Sequence, residues 1–169
     1  MNGMLRTGIF RLGYGLFLLF VPLLTSPSRV TWFGITLLAV TVVEGLNWWL
    51  SRRKGQGGEI SLITAVVSLL FGLMAFIPAA KDLVSWFVTI YLAYLALAEL
   101  VTWMNAKGAK RQWLLWGALL SFVAALVTLI SFSLTVIILL MSLALIGLGI
   151  CRVVASMGTS AAVEEAIHE

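Results

Sequence analysis

The chain has 169 residues, of which 62% are hydrophobic and 11% are charged, and its formal net charge is +4. Soluble domains are usually about half apolar and a quarter charged, so this composition excludes a soluble globular fold and indicates that the lipid bilayer is the solvent. The single cysteine, Cys151, excludes an internal disulfide, and the single histidine, His168, is a poor metal ligand on its own.

The first apolar segment, about 7–24, predicts a retained transmembrane helix, because the "LLTSPSR" that follows lacks the small residues of a signal cleavage site. Since about 20 apolar residues cross the hydrocarbon core, five further runs predict helices at about 31–50, 60–78, 83–104, 113–130 and 134–156. Short segments of glycine, proline and small polar residues separate them. The sequence therefore predicts an all-α membrane protein with six transmembrane helices.

The distribution of positive charge predicts how these helices are oriented. Two basic residues, Arg29 and Lys81, fall on one side of the predicted bundle, and the other side carries Arg6, Arg11, Arg52, Arg53, Lys54, Lys107, Lys110, Arg111 and Arg152. By the positive-inside rule, both termini and the two long basic loops are cytoplasmic. Because the basic residues follow the predicted membrane surface, their distribution argues against a nucleic-acid partner. All seven tryptophans lie near the end of a predicted helix, as in an aromatic belt.

Three short segments occupy the same place in successive pairs of helices. They are "VTVVEGLNWW" with Glu44, "LALAELVTWM" with Glu99 and "LGICRVVASM" with Arg152, at offsets of 55 and 53 residues. This pattern predicts three repeated helical hairpins, within about 6–54, 59–107 and 110–157 of a single domain. Residues 158–169 would form a short cytoplasmic tail, for which a short helix and a disordered segment both stay open.

Glycine-rich first helices that end near a proline, "GYGLFLLFVP" and "FGLMAFIP", together with the three hairpins, resemble the HdeD-like acid-resistance membrane proteins. The resemblance extends over 6–157, and the third unit differs because "VAALVTLISFS" contains no proline. The resemblance implies a small protein of the bacterial inner membrane that acts in acid or envelope stress. The family has no established catalytic residues, so the resemblance assigns none to this chain.

Four charged residues, Arg11, Glu44, Glu99 and Arg152, are predicted to share one layer of the inner leaflet, with the acids roughly 8–9 Å inside the membrane edge. An unpaired charge there costs roughly 2.5–3.5 kcal/mol, so we expect at least one arginine to contact an acid. Asn47, one turn from Glu44, is a further expected partner. Two interpretations stay open: a static contact between helices, or a proton- or ion-sensitive site. Apolar surroundings favour a neutral carboxyl group, whereas a neighbouring arginine favours the ionised form.

Small residues recur every four positions on three predicted helices and indicate close helix packing rather than a pore: Thr64, Ser68 and Gly72; Gly117, Ser121 and Ala125; Gly147, Cys151 and Ala155. Tyr91 and Tyr94 are predicted core rings whose hydroxyls find local partners.

The sequence indicates a non-enzymatic membrane protein, because the chain has no zinc-protease motif, no phosphate loop and no cysteine–histidine set. Three functions stay open: an HdeD-like stress protein, a small transporter or ion pathway that uses Glu44 and Glu99, and a stabilising subunit of a larger membrane complex. The lipid bilayer is the expected partner, with a homo-oligomer or larger complex also open. No cofactor is expected.

Overall fold

A computed structural model describes residues 3–20, 26–55, 58–77, 83–108, 110–130 and 133–167, and for 26–29 and 158–167 it describes the backbone alone. Over these ranges the chain forms six α-helices: α1 (Gly3–Leu19), α2 (Ser26–Arg53), α3 (Glu59–Met74), α4 (Val84–Met104), α5 (Lys110–Ile130) and α6 (Leu134–Ile167). The prediction of an all-α chain with six helices is confirmed.

Four of the described helices are long and apolar enough to cross a membrane, within Val30–Arg53, Val84–Met104, Lys110–Ile130 and Leu134–Met157. The other two are shorter, since α1 has 17 residues and α3 has 16. At 1.5 Å per residue these would extend about 25 Å, somewhat less than the hydrocarbon core of about 30 Å. The predicted ends of both, at residues 24 and 78, lie outside the described residues. The chain is a multi-pass membrane protein.

Polarity in the bundle is arranged for lipid rather than for water. Large apolar side chains face outward, such as Val42 and Leu97, each 62% exposed, whereas the charged side chains of Arg11, Glu99 and Arg152 are buried. In water, the exposure of this outer apolar surface would be unfavourable. In a bilayer, lipid tails cover the apolar surface, and polar groups are stable in the interior of the protein. The apolar core between the helices includes Phe33, Leu37, Leu92, Leu145 and Leu148.

One end of the bundle combines basic residues with tryptophans, and we call it the basic end. The guanidinium of Arg53 lies 3.7 Å from the ring centre of Trp49, and that of Arg111 lies 4.5 Å from the ring centre of Trp103. Such contacts place a positive charge beside an amphipathic ring, a combination that suits the depth of lipid headgroups. Basic residues that were predicted to lie on one side of the membrane therefore contact tryptophans at the end of α2 and where the end of α4 meets the start of α5.

The helix pairs that pack most closely are α1 with α6, α4 with α5 and α2 with α3, followed by α5 with α6. Of the predicted hairpins, α5–α6 is therefore closely packed, whereas α1–α2 and α3–α4 make few close contacts. Glycines explain the difference: a Cβ on Gly15 would lie 2.7 Å from the Ser142 carbonyl oxygen, and one on Gly34 would lie 3.2 Å from that of Gly72. Backbones approach where small residues face each other, and chain connectivity does not determine this.

The even-numbered helices bury equivalent positions. Leu37, Leu92 and Leu145 are all buried, and they are separated by the same 55 and 53 residues as the predicted repeat. This agrees with the division into three units, which stays a prediction. At the other end of the chain, the backbone of α6 is helical to Ile167, so the helical alternative for the predicted tail fits the structure.

Candidate functional site

The centre of the bundle holds charged side chains from three helices: Arg11 on α1, Glu99 on α4 and Arg152 on α6. A glycine on the neighbouring helix gives one of these side chains room. A Cβ on Gly8 would lie 3.1 Å from the Cβ of Arg152, closer than an ordinary contact between side chains. Glycine on α1 therefore allows a large charged residue on α6.

Both arginines bind the same carboxylate oxygen. Nη1 of Arg11 donates to Oε1 of Glu99, and Nε of Arg152 donates to the same atom at 2.8 Å. The exposed fraction is 5% for Arg11, 1% for Glu99 and 8% for Arg152. The predicted contact between an arginine and a buried acid is confirmed, and it is made twice. We call these three residues the clasp, because they connect α1, α4 and α6.

Glu44 has a different environment from Glu99. It is also buried, but the hydrogen bond it accepts comes from Nδ2 of Asn47, at 3.4 Å, which confirms the expected partner. The same Asn47 nitrogen lies 3.3 Å from Oγ1 of Thr7 on α1. Among the described residues, the ion pairs join Arg11 and Arg152 to Glu99 and do not include Glu44. The four charged residues predicted at one depth therefore divide into the clasp and a separate Glu44–Asn47 contact.

Among the described residues, the second oxygen of Glu99 has no hydrogen-bond partner. Oε2 is buried and has no partner within the described part of the chain, whereas Oε1 accepts two charge-assisted hydrogen bonds. An unsatisfied buried acceptor costs roughly 1–3 kcal/mol. This oxygen is the atom of the clasp that can still take a proton or a hydrogen bond.

Two pairs of hydroxyl groups in the core make contacts between α3 and α4. The Ser68 and Tyr91 hydroxyls are 3.2 Å apart, and those of Thr64 and Tyr94 are 2.7 Å apart. The prediction that the tyrosine hydroxyls find local partners is confirmed. Of the predicted small-residue stripe on α3, Thr64 and Ser68 bond to α4 and Gly72 lies against α2, which agrees with a packing role.

A cavity of about 410 Å³, which we call the polar cavity, lies between the clasp and the basic end. Its lining includes Arg6, Thr7, Asn47, Thr102 and Arg152. Neither Glu44 nor Glu99 lines it, so the acids face closed contacts, and the cavity reaches the clasp only through Arg152. Arg6 and Thr102 were not among the site residues predicted from the sequence. The sequence feature that could have indicated them is their position along the predicted helices, which places them at about the same depth as Asn47 and Arg152.

The described residues contain no group of three or more His, Cys, Asp or Glu side chains that could hold a metal ion. Comparison of the chain with protein-family models, with curated proteins and with solved structures gives no significant match. These comparisons therefore assign no function, and a proposal has to rest on the sequence patterns and on the arrangement of the site.

Proposed function

We propose that this chain is a non-catalytic protein of the bacterial inner membrane that crosses the bilayer six times, has both termini in the cytoplasm and acts in acid or envelope stress. The resemblance of its sequence to the HdeD-like proteins supports the location and the stress role. The nine-to-two distribution of basic residues supports the orientation. The structural observation that carries the non-catalytic assignment is the pairing of Glu99 with two arginines inside a closed contact.

The clasp fits a structural role because its groups have little freedom to act on a substrate. Glu99 is 1% exposed and lies away from the lining of the polar cavity. Its Oε1 already accepts hydrogen bonds from both guanidinium groups. A carboxylate that does not meet solvent and is bound by two arginines can hold helices together, but it is poorly placed to act on a substrate.

The stress role is tested in the source bacterium by deleting the gene and measuring survival after a shift to low pH. We expect reduced survival that is restored by the wild-type gene. The structural role of the clasp is tested in the same strain with a charge-free variant, Arg11→Met/Glu99→Leu/Arg152→Met, whose membrane level is measured alongside. If the clasp only holds helices together, this variant should restore survival in proportion to its amount. Normal survival of the deletion strain under acid and envelope stress would refute the stress role.

A small ion pathway is the second candidate, and two observations favour it. Oε2 of Glu99 is free to take a proton, and Asn47 both lines the polar cavity and donates to Glu44. Together they would connect both acids to the basic end. In proteoliposomes with an imposed proton gradient, this pathway predicts a proton flux that Glu99→Gln and Glu44→Gln abolish while the protein stays folded. A flux no greater than that of empty liposomes would exclude it.

A further inference from the structure

The polar cavity has a shape that suits a small ligand. Its volume of about 410 Å³ lies within the roughly 300–1,000 Å³ of small-molecule sites. The exposed lining residues Gly3 and Glu59 place its mouth at the basic end, and the buried Arg152 forms its inner wall. The cavity therefore leads from the surface of the bundle to the clasp.

Two arginines present hydrogen-bond donors to the polar cavity. Nε of Arg6 is buried and has no partner within the described part of the chain. Arg152 donates to Glu99 through Nε, and its guanidinium carries further N–H groups beyond that bond. Because arginine has no acceptor atom, only an acceptor can satisfy the unpartnered Nε of Arg6. Both residues line the cavity, so that acceptor would lie inside it.

The start of α3 adds backbone donors to the same space. Gly58 precedes the helix and supplies no side-chain cap, and the N–H of Leu62 is bonded to the Gly58 carbonyl oxygen at 3.1 Å. The N–H groups of the first turn, Glu59 to Ser61, precede that bond and have no carbonyl acceptor within the helix. These residues line the cavity, and the partial positive charge of a helix N-terminus favours an anion. The Glu59 carboxylate is exposed at the rim, where solvent screens it.

We propose that the polar cavity binds a phosphate group through Arg6, Arg152 and the first turn of α3. The planar guanidinium matches phosphate oxygens in pairs, and backbone N–H groups complete the set of donors. Two sources offer this chemistry: free inorganic phosphate and the headgroup of an anionic phospholipid, which is abundant at a cytoplasmic membrane surface. The proposal does not depend on the stress role, since it rests on the donors of the cavity alone.

The test uses the full-length protein in a neutral detergent at constant ionic strength. Its thermal stability is measured against rising concentrations of inorganic phosphate and, separately, of short-chain phosphatidic acid, with phosphatidylcholine of the same chain length as reference. A ligand that binds the folded state raises the melting temperature with its concentration, which gives an apparent Kd. Arg6→Gln removes donors without touching the clasp, and Arg53→Gln removes an exposed charge from the same end of the bundle.

We expect Arg6→Gln to weaken apparent affinity roughly tenfold, as for the loss of one charge-assisted hydrogen bond, and Arg53→Gln to change it less than about twofold. Glu59→Gln, an exposed substitution that leaves the fold intact, should tighten binding about twofold to threefold. Stabilisation by inorganic phosphate assigns the free anion, and stabilisation by phosphatidic acid alone assigns the lipid headgroup. The proposal is overturned if neither probe stabilises the protein, or if Arg6→Gln and Arg53→Gln weaken binding equally.

Discussion

Removal of Glu99 should destabilise the bundle more than removal of either arginine, because this single carboxylate neutralises two buried cations. At about 4 Å and an effective dielectric constant of about 20, one ion pair is worth roughly 4 kcal/mol before desolvation is counted. Glu99→Leu loses two such attractions and leaves two guanidinium groups facing each other. Arg152→Met loses one attraction and also relieves the repulsion between the arginines.

Breaking a buried ion pair by removing one partner typically costs about 3–5 kcal/mol of unfolding free energy. We therefore expect a loss of about 5 kcal/mol for Glu99→Leu and about 3 kcal/mol for Arg152→Met. The variant Arg11→Met/Glu99→Leu/Arg152→Met leaves no charge without a partner, and its unfolding free energy should lie within about 1 kcal/mol of the wild-type value.

The assay is reversible unfolding in mixed micelles of a mild detergent and sodium dodecyl sulfate, followed by tryptophan fluorescence. Arg53→Met is the matched control, because it makes the same substitution at an exposed position and should cost no more than about 1 kcal/mol. The reasoning would be refuted by equal losses for Glu99→Leu and Arg53→Met. It would also be refuted if the triple variant were less stable than Glu99→Leu.

Two further predictions concern topology and helix packing. In a Cys151→Ser background, an impermeant thiol reagent added to intact cells should label Ser28→Cys but not Gln56→Cys, and the opposite pattern would contradict the proposed orientation. Gly149→Ala should destabilise the bundle by about 1–3 kcal/mol, because its Cβ would lie 2.6 Å from the Leu12 backbone nitrogen. Gly45→Ala, which has open space around it, should instead be neutral or stabilising by up to about 1 kcal/mol in the same unfolding assay.

Sequence reasoning predicted the six helices and a contact between an arginine and a buried acid, and each for a physical reason. Apolar runs of membrane-spanning length have few structures open to them, because a backbone in lipid must satisfy its own hydrogen bonds. Depth follows from counting residues along a helix of fixed rise. On these grounds the sequence predicted that Glu99 and Arg152 lie in one layer and that an arginine contacts an acid, as the clasp confirms.

Rotation about the helix axis could not be predicted in the same way. Whether Arg11 faces Glu44 or Glu99 depends on which helices are neighbours, and a nearly uniformly apolar helix gives little indication of the side it buries. The structure places both arginines against Glu99 and leaves Glu44 with Asn47. The polar cavity was missed for the same reason, because its lining comes from several helices whose arrangement the sequence does not specify.

Glycines and polar side chains contribute differently to helix packing in this bundle. Close backbone approach joins α1 to α6 and α2 to α3, at positions such as Gly15 and Gly34. Polar side chains then join these pairs to each other and to the α4–α5 pair. The clasp connects α1 and α6 to α4, the hydroxyls of Ser68 and Tyr91 connect α3 to α4, and Asn47 connects α2 to α1.

This division has a physical basis in lipid. Apolar surfaces gain little by meeting each other there, since lipid tails are equally apolar. Helices associate either by van der Waals contact at short distance or by hydrogen bonds and ion pairs that the hydrocarbon cannot replace. Helices α5 and α6 pack closely on each other. Between α1 and α4, the long Arg11 side chain reaches Glu99 and connects the two helices. The proposed structural role of the clasp would therefore give one reason for a highly apolar chain to retain charges in its helices.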